Sequence, residues 1–150
     1  MIKLLWIDDN LDHDLLEKRM ALLMVDDFDP HFARDATEAF YRLRKERFDV
    51  VIFDLRLPSG PDNMWNTYHT DGFQKFGFAL LSIITSNIGS NFDHLKEARF
   101  GVFTLEMSEE NPELFEAPIN LPQDNFKMKT HAYYENAFIE FVRKVYQTWH

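Results

Sequence analysis

Two apolar runs, LLWI at 4–7 and VVIF at 50–53, each end in acid: Asp8 and Asp9 after the first, Asp54 after the second. A strand that is apolar at every position has no face to give to water. It belongs in the middle of a parallel sheet with helices covering both sides. The residues just past its end are the first that leave the core, so a carboxylate there stands at the sheet's edge. Pro58 and Gly60 follow Asp54 within six residues and turn the chain sharply.

The rest of the chain alternates in the same way. The first strand is read over 2–7. Leu16, Met20 and Leu23 then recur at helical spacing, with Leu15 and Leu22 beside them. A second strand is read over 28–33. Asp35 and Glu38 have the spacing of a capping box, and Ala36, Ala39, Phe40 and Leu43 form the stripe of a second helix. The third strand spans 48–55. Phe73, Phe76, Leu80 and Ile83 mark a third helix, and a short fourth is expected over 92–99. A fourth strand at 101–105 and a fifth at 125–129 flank an irregular stretch at 108–124. Tyr134, Phe138, Phe141, Val145 and Trp149 mark the core face of a closing helix. Alternating strands and helices predict an α/β fold, a doubly wound parallel sheet with helices on both faces. The 150 residues are expected to form a single domain.

Right-handed crossovers put every strand's C-terminal end on one edge, where α/β sheets place their sites. If strands one and three are neighbours, Asp8, Asp9 and Asp54 converge. Two unit charges about 4 Å apart near a surface repel by about 4 kcal/mol. Either their pKa values rise or a cation joins them. A hard divalent ion such as magnesium suits carboxylate oxygens and leaves positions for phosphate. An Asp beside such an ion can act as a phosphoryl acceptor.

Charge and composition remove other classes. The formal charge of −9 disfavours a phosphate backbone as partner. No apolar run approaches the about 18 residues of a membrane helix, and no secretory leader pattern is present. No cysteine is present, so disulfides and thiolate metal sites are excluded. These features together lead to the expectation of a cytoplasmic protein with no membrane and no nucleic-acid partner.

Three stretches carry a family resemblance: KLLWIDDN, ARDATEAFYRLRKERFDVVIFDLRLP and FKMKT before the last helix. They resemble the response-regulator receiver domain of two-component signalling, with a CheY-like fold. The resemblance implies five strands in the flavodoxin-like order 2-1-3-4-5. It implies Asp54 as phosphoacceptor, Asp9 and Asp8 as magnesium ligands, and the backbone carbonyl of Arg56 as a further ligand. Pro58 would make the turn, Lys129 would contact Asp54 and the phosphoryl group, and Phe126 would be the aromatic switch. The implied partners are a histidine kinase or phosphotransfer protein and an unknown output protein. Since the chain ends at the closing helix, output by protein–protein contact is expected.

The sequence departs from the pattern in three places. An insertion at about 59–71 brings Trp65, Tyr68 and His69 near the site, as a lid, as a partner surface, or as a loop packed on the body. Gly72 or Gly77 must then serve as the glycine of the third helix. The Ser or Thr expected at the end of strand four falls, on GVFTL, to Glu106, with Ser108 two residues on; a rival alignment of LLSIITSN offers Thr85. Thr130 follows Lys129 where proline is usual. A receiver-like binding module independent of phosphorylation is therefore the second reading. An Asp-nucleophile phosphohydrolase is disfavoured, because its second acid, two residues on, is here Arg56. Beyond its own phosphorylation and dephosphorylation, the chain is expected not to be an enzyme.

Overall fold

The computed structural model describes residues 1–68, 75–132, 134 and 136–148 in full, and residue 135 by its backbone. Five parallel strands form one sheet: β1 (Ile2–Ile7), β2 (Phe28–Ala33), β3 (Val50–Phe53), β4 (Arg99–Thr104) and β5 (Phe126–Met128). Their order is β2-β1-β3-β4-β5, the doubly wound arrangement. Four α-helices are described: α1 (Leu16–Leu23), α2 (Ala36–Lys45), α3 (Phe76–Ser86) and α4 (Glu135–Thr148).

Two apolar cores lie on opposite faces of the sheet. On one, Leu5, Ile7, Val51 and Phe53 pack against α2 and α3. On the other, Leu4, Trp6, Val50 and Ile52 pack against α1 and α4, with Trp6 stacked on Phe138 at 4.0 Å. The alternation within each run splits it between two cores, which is why neither run contains a polar residue.

The α2 cap forms, with a displaced return bond. Asp35 Oδ1 accepts from the Glu38 N–H at 2.8 Å, and Glu38 Oε2 accepts from the Arg34 N–H at 3.1 Å, one residue before the cap. The stripe Ala36, Ala39, Phe40 and Leu43 is buried as expected.

The helices read from sequence need three corrections. At α1 the buried residues are Leu15, just before the helix, and Leu22, while Leu16, Met20 and Leu23 are exposed. Both sets have helical spacing, and periodicity alone cannot choose between adjacent stripes. Tyr134 precedes α4 and is exposed; the core face is Phe138, Phe141, Val142 and Val145, and Trp149 lies outside the described residues. The helix expected over 92–99 is one short 3-10 turn, Asp93–Leu95, because β4 already begins at Arg99. Between β4 and β5 the chain makes 3-10 turns at Ser108–Glu110, Pro112–Phe115 and Gln123–Asn125, with a cis bond before Pro118. Leu114, Ile119 and Leu121 fix this segment to the α2–α3 core.

Candidate functional site

Parallel register brings the acids together. Ile7 pairs with Phe53, and the ladder runs one step further, with the Asp54 N–H donating to the Ile7 carbonyl at 3.0 Å. Asp8 and Asp54 are therefore the next residues on adjacent strands. One carboxylate oxygen each from Asp8, Asp9 and Asp54 lie within 4.8 Å of one another. Asp8 and Asp54 are buried; Asp9 is exposed.

Lys129, in the turn after β5, enters between the two buried acids. Its Nζ is 2.7 Å from Asp8 Oδ2 and 3.1 Å from Asp54 Oδ2. The other Asp54 oxygen accepts from the Thr104 hydroxyl at 2.9 Å and more weakly from the Arg56 N–H at 3.4 Å. Asp8 Oδ1 accepts from the Asn10 N–H at 2.9 Å. Burial, then the charge of Asp54, pushes Asp8 up to about 7 against the pull of Lys129. Burial also raises Asp54 above the ordinary carboxylate range. For Lys129, burial works downward, but the charges of Asp54 and Asp8 outweigh it and hold the ammonium above its usual value. One cation thus serves two buried acids without satisfying them. Hard oxygen donors with unneutralised charge fit a divalent cation of the magnesium class.

No family model matches the chain, and no curated protein matches it. Solved structures do. A CheY-like response regulator receiver domain protein from Methanospirillum hungatei JF-1 superposes with a TM-score of 0.65 at 18% identity, over 97% of this chain and 94% of that one. The non-phosphorylated HemR receiver domain from Leptospira biflexa gives 0.64 at 22% identity, over 100% and 98%. A response regulator from Burkholderia pseudomallei, with a phosphorylated aspartic acid, calcium ion and citrate, gives 0.61 at 19% identity, over 97% and 69%. The chain has the receiver fold.

The other expected positions can now be placed on that fold. Pro58 lies in a turn tied to two helix starts: its carbonyl accepts from the Ala36 N–H at 2.9 Å, and the Leu57 carbonyl from the Phe76 N–H at 3.2 Å. Gly77 is the close-approach glycine. A Cβ there would sit 1.7 Å from the Asp54 carbonyl oxygen. Gly72 lies outside the described residues, as do Phe73 and His69. Phe126 is half-buried at the start of β5 and packs on Phe115, ring centroids 6.2 Å apart.

The hydroxyl on Asp54 is Thr104's, which the sequence reading passed over. Glu106 instead pairs with Arg56 Nε at 3.1 Å and Lys75 Nζ at 3.0 Å. Ser108 starts a 3-10 turn. The Thr85 hydroxyl donates to the Leu81 carbonyl inside α3. The missed signal lay in GVFTL itself: the last residue of β4, not the first residues after it, reaches the edge.

The described part of the insertion, through Tyr68, packs on the body. Trp65 is 1% exposed, and its Nε1 donates to the Thr37 hydroxyl at 3.0 Å. Its ring lies against Phe40, Phe76 and Tyr68. Trp65 is a core residue of the loop rather than a lid. On the opposite flank a cleft of about 270 Å³ opens beside Lys129, between Asn10, Asp14, Leu15, Lys18 and Leu105. Among the described residues, no helix is long and apolar enough to cross a membrane.

Proposed function

We propose that this chain is a phosphoacceptor receiver, modified on Asp54 by a histidine kinase, a phosphotransfer protein or a small acyl phosphate, and read by protein–protein contact. The observation that carries this is the arrangement around Asp54. Lys129 lies on one carboxylate oxygen and the Thr104 hydroxyl on the other, with Asp8 sharing the lysine. In the transfer, one Asp54 oxygen attacks phosphorus. The donor's P–O or P–N bond breaks, and the leaving group keeps the electron pair. Asp54 must be ionised to attack, and Lys129 opposes the burial that would keep it protonated. Afterwards Lys129 faces the new phosphoryl charge, and the Thr104 hydroxyl can turn from the carboxylate to a phosphoryl oxygen. Asp8, Asp9, Asp54 and the Arg56 carbonyl would hold magnesium, which when bound offsets the negative charge of the phosphoryl oxygens.

The second reading, a module independent of phosphorylation, rests on Glu106 standing where a hydroxyl is usual; the Thr104 hydroxyl on Asp54 favours the first. A phosphohydrolase would need an acid where Arg56 stands. The test is incubation with magnesium and acetyl phosphate, followed by intact mass, for wild type and Asp54→Asn. One added phosphoryl group in wild type, absent from the folded variant, is expected. An unlabelled wild type that stays folded and binds magnesium would sink the proposal in favour of the second reading.

A further inference from the structure

Glu106 is the residue of this edge that phosphoacceptance leaves unexplained. It is a carboxylate two residues past Thr104, yet only 5% exposed, while Leu105 between them is 59% exposed. Thr104 and Glu106 are buried on either side of the exposed Leu105, Thr104 bonded to Asp54 and Glu106 to Arg56, two residues past Asp54. Its Oε1 accepts both cations, Arg56 Nε at 3.1 Å and Lys75 Nζ at 3.0 Å. Its Oε2 is buried with no hydrogen-bond partner among the described residues.

Both cations are anchored to the acceptor itself. Arg56 follows Asp54 by two residues, and its N–H reaches the Asp54 carboxylate. Lys75 directly precedes α3, whose Gly77 touches the Asp54 carbonyl. The Arg56 side chain is 52% exposed. Before modification, the carboxylate beside these cations is Glu106. After modification, a phosphoryl group on Asp54 would carry up to two negative charges on three acceptor oxygens, in place of the single charge of the carboxylate.

We propose that Glu106, Arg56 and Lys75 form an internal charge clamp, in which Glu106 holds the two cations that a phosphoryl group on Asp54 would draw away. Losing them leaves Glu106 buried and unpaired, a costly state that drives it outward. The segment after β4, carrying exposed Leu105 and Met107, would move with it. The clamp thus couples charge on Asp54 to a surface a partner can read. It rests on Asp54 being the acceptor.

Beryllofluoride with magnesium serves as the phosphoryl probe. Because coupling between linked sites is reciprocal, releasing the cations beforehand should help the probe bind. Glu106→Gln should tighten beryllofluoride binding by about fivefold or more, the lower range for such coupling. The gain should vanish when Arg56→Met and Lys75→Met are added. In wild type, the Arg56 Nε–H resonance should move away from its Glu106-paired position on probe binding. That readout needs no variant to detect movement, so it decides the matter even if Glu106→Gln folds poorly. If wild type binds no probe and takes no phosphoryl group, the acceptor reading and the clamp fall together. If the probe binds and shifts the Asp54 amide, while Arg56 Nε–H stays still and Glu106→Gln binds equally, the clamp alone is refuted.

Discussion

Lys129→Met should expose how much of this edge depends on one ammonium. Lys129 lies 2.7 Å and 3.1 Å from two buried carboxylates. Removing one partner of a buried pair typically costs about 3–5 kcal/mol, because the remaining charge stays desolvated. Here two acids are left, already raised in the presence of the lysine, Asp8 to about 7. The sign follows. Asp8's folded pKa lies above its unfolded value of 3.8, so between about 4 and 7 the native chain binds more protons than the unfolded one. Wild-type stability in chelator should therefore fall as pH rises through that window, then level off. Lys129 is raised instead, so its contribution is complete throughout this range and is lost only in strong alkali.

In Lys129→Met both acids rise further, and the window moves upward. Urea unfolding at about pH 8 in chelator should show a loss of about 3–5 kcal/mol, within a domain's ordinary 5–15. Near pH 5, where the acids can take protons, most of that loss should disappear. Magnesium at the higher pH should recover part of it by binding the native state. A loss below about 1 kcal/mol at pH 8, the range of exposed pairs, would show that water screens the cluster and would refute the reasoning.

Two further substitutions probe how the scaffold holds the site. Gly77→Ala puts a methyl group 1.7 Å from the Asp54 carbonyl oxygen, so α3 must back away; a loss of about 1–3 kcal/mol or more is expected. Phosphoryl labelling should drop with it, and unchanged melting and labelling would mean that α3 does not fix the acceptor. Trp65→Ala empties a buried site and strips a partner from the Thr37 hydroxyl. Thermal unfolding should register about 3–5 kcal/mol, whereas a loss under about 1 kcal/mol would place the loop outside the core.

Those parts of the molecule differ in how far they could be read in advance. β1 and β2 were legible to the residue; for β1, an apolar run that ends in acids has few other uses. The convergence of Asp8 with Asp54 followed from strand order alone. The exposed face of α1 did not, since Leu15–Leu22 and Leu16–Met20–Leu23 are equally good stripes and only packing against α4 selects one. The β4–β5 connection lacks helical periodicity, and its 3-10 turns are held by long-range contacts of Leu114 and Leu121 that no local pattern announces. Thr104 was hidden by its neighbours: a threonine inside an apolar run reads as a β-branched strand residue. Its hydroxyl acquires a role only once β3 and β4 are paired.

The same pairing explains how one edge can hold so many charges. On the β1 side, among the described residues, three carboxylates cluster and one ammonium, Lys129, pairs with two of them, so the surplus is negative. On the α3 side, Arg56 and Lys75 both pair with Glu106. Asp54 stands at the boundary. A divalent cation would relieve the charge of the first flank, and the oxygens of a phosphoryl group on Asp54 would compete with Glu106 for the cations of the second. Glu106, which by sequence alone looked like an obstacle to phosphate, then has a different use. It keeps the positive flank folded and occupied until a stronger anion arrives.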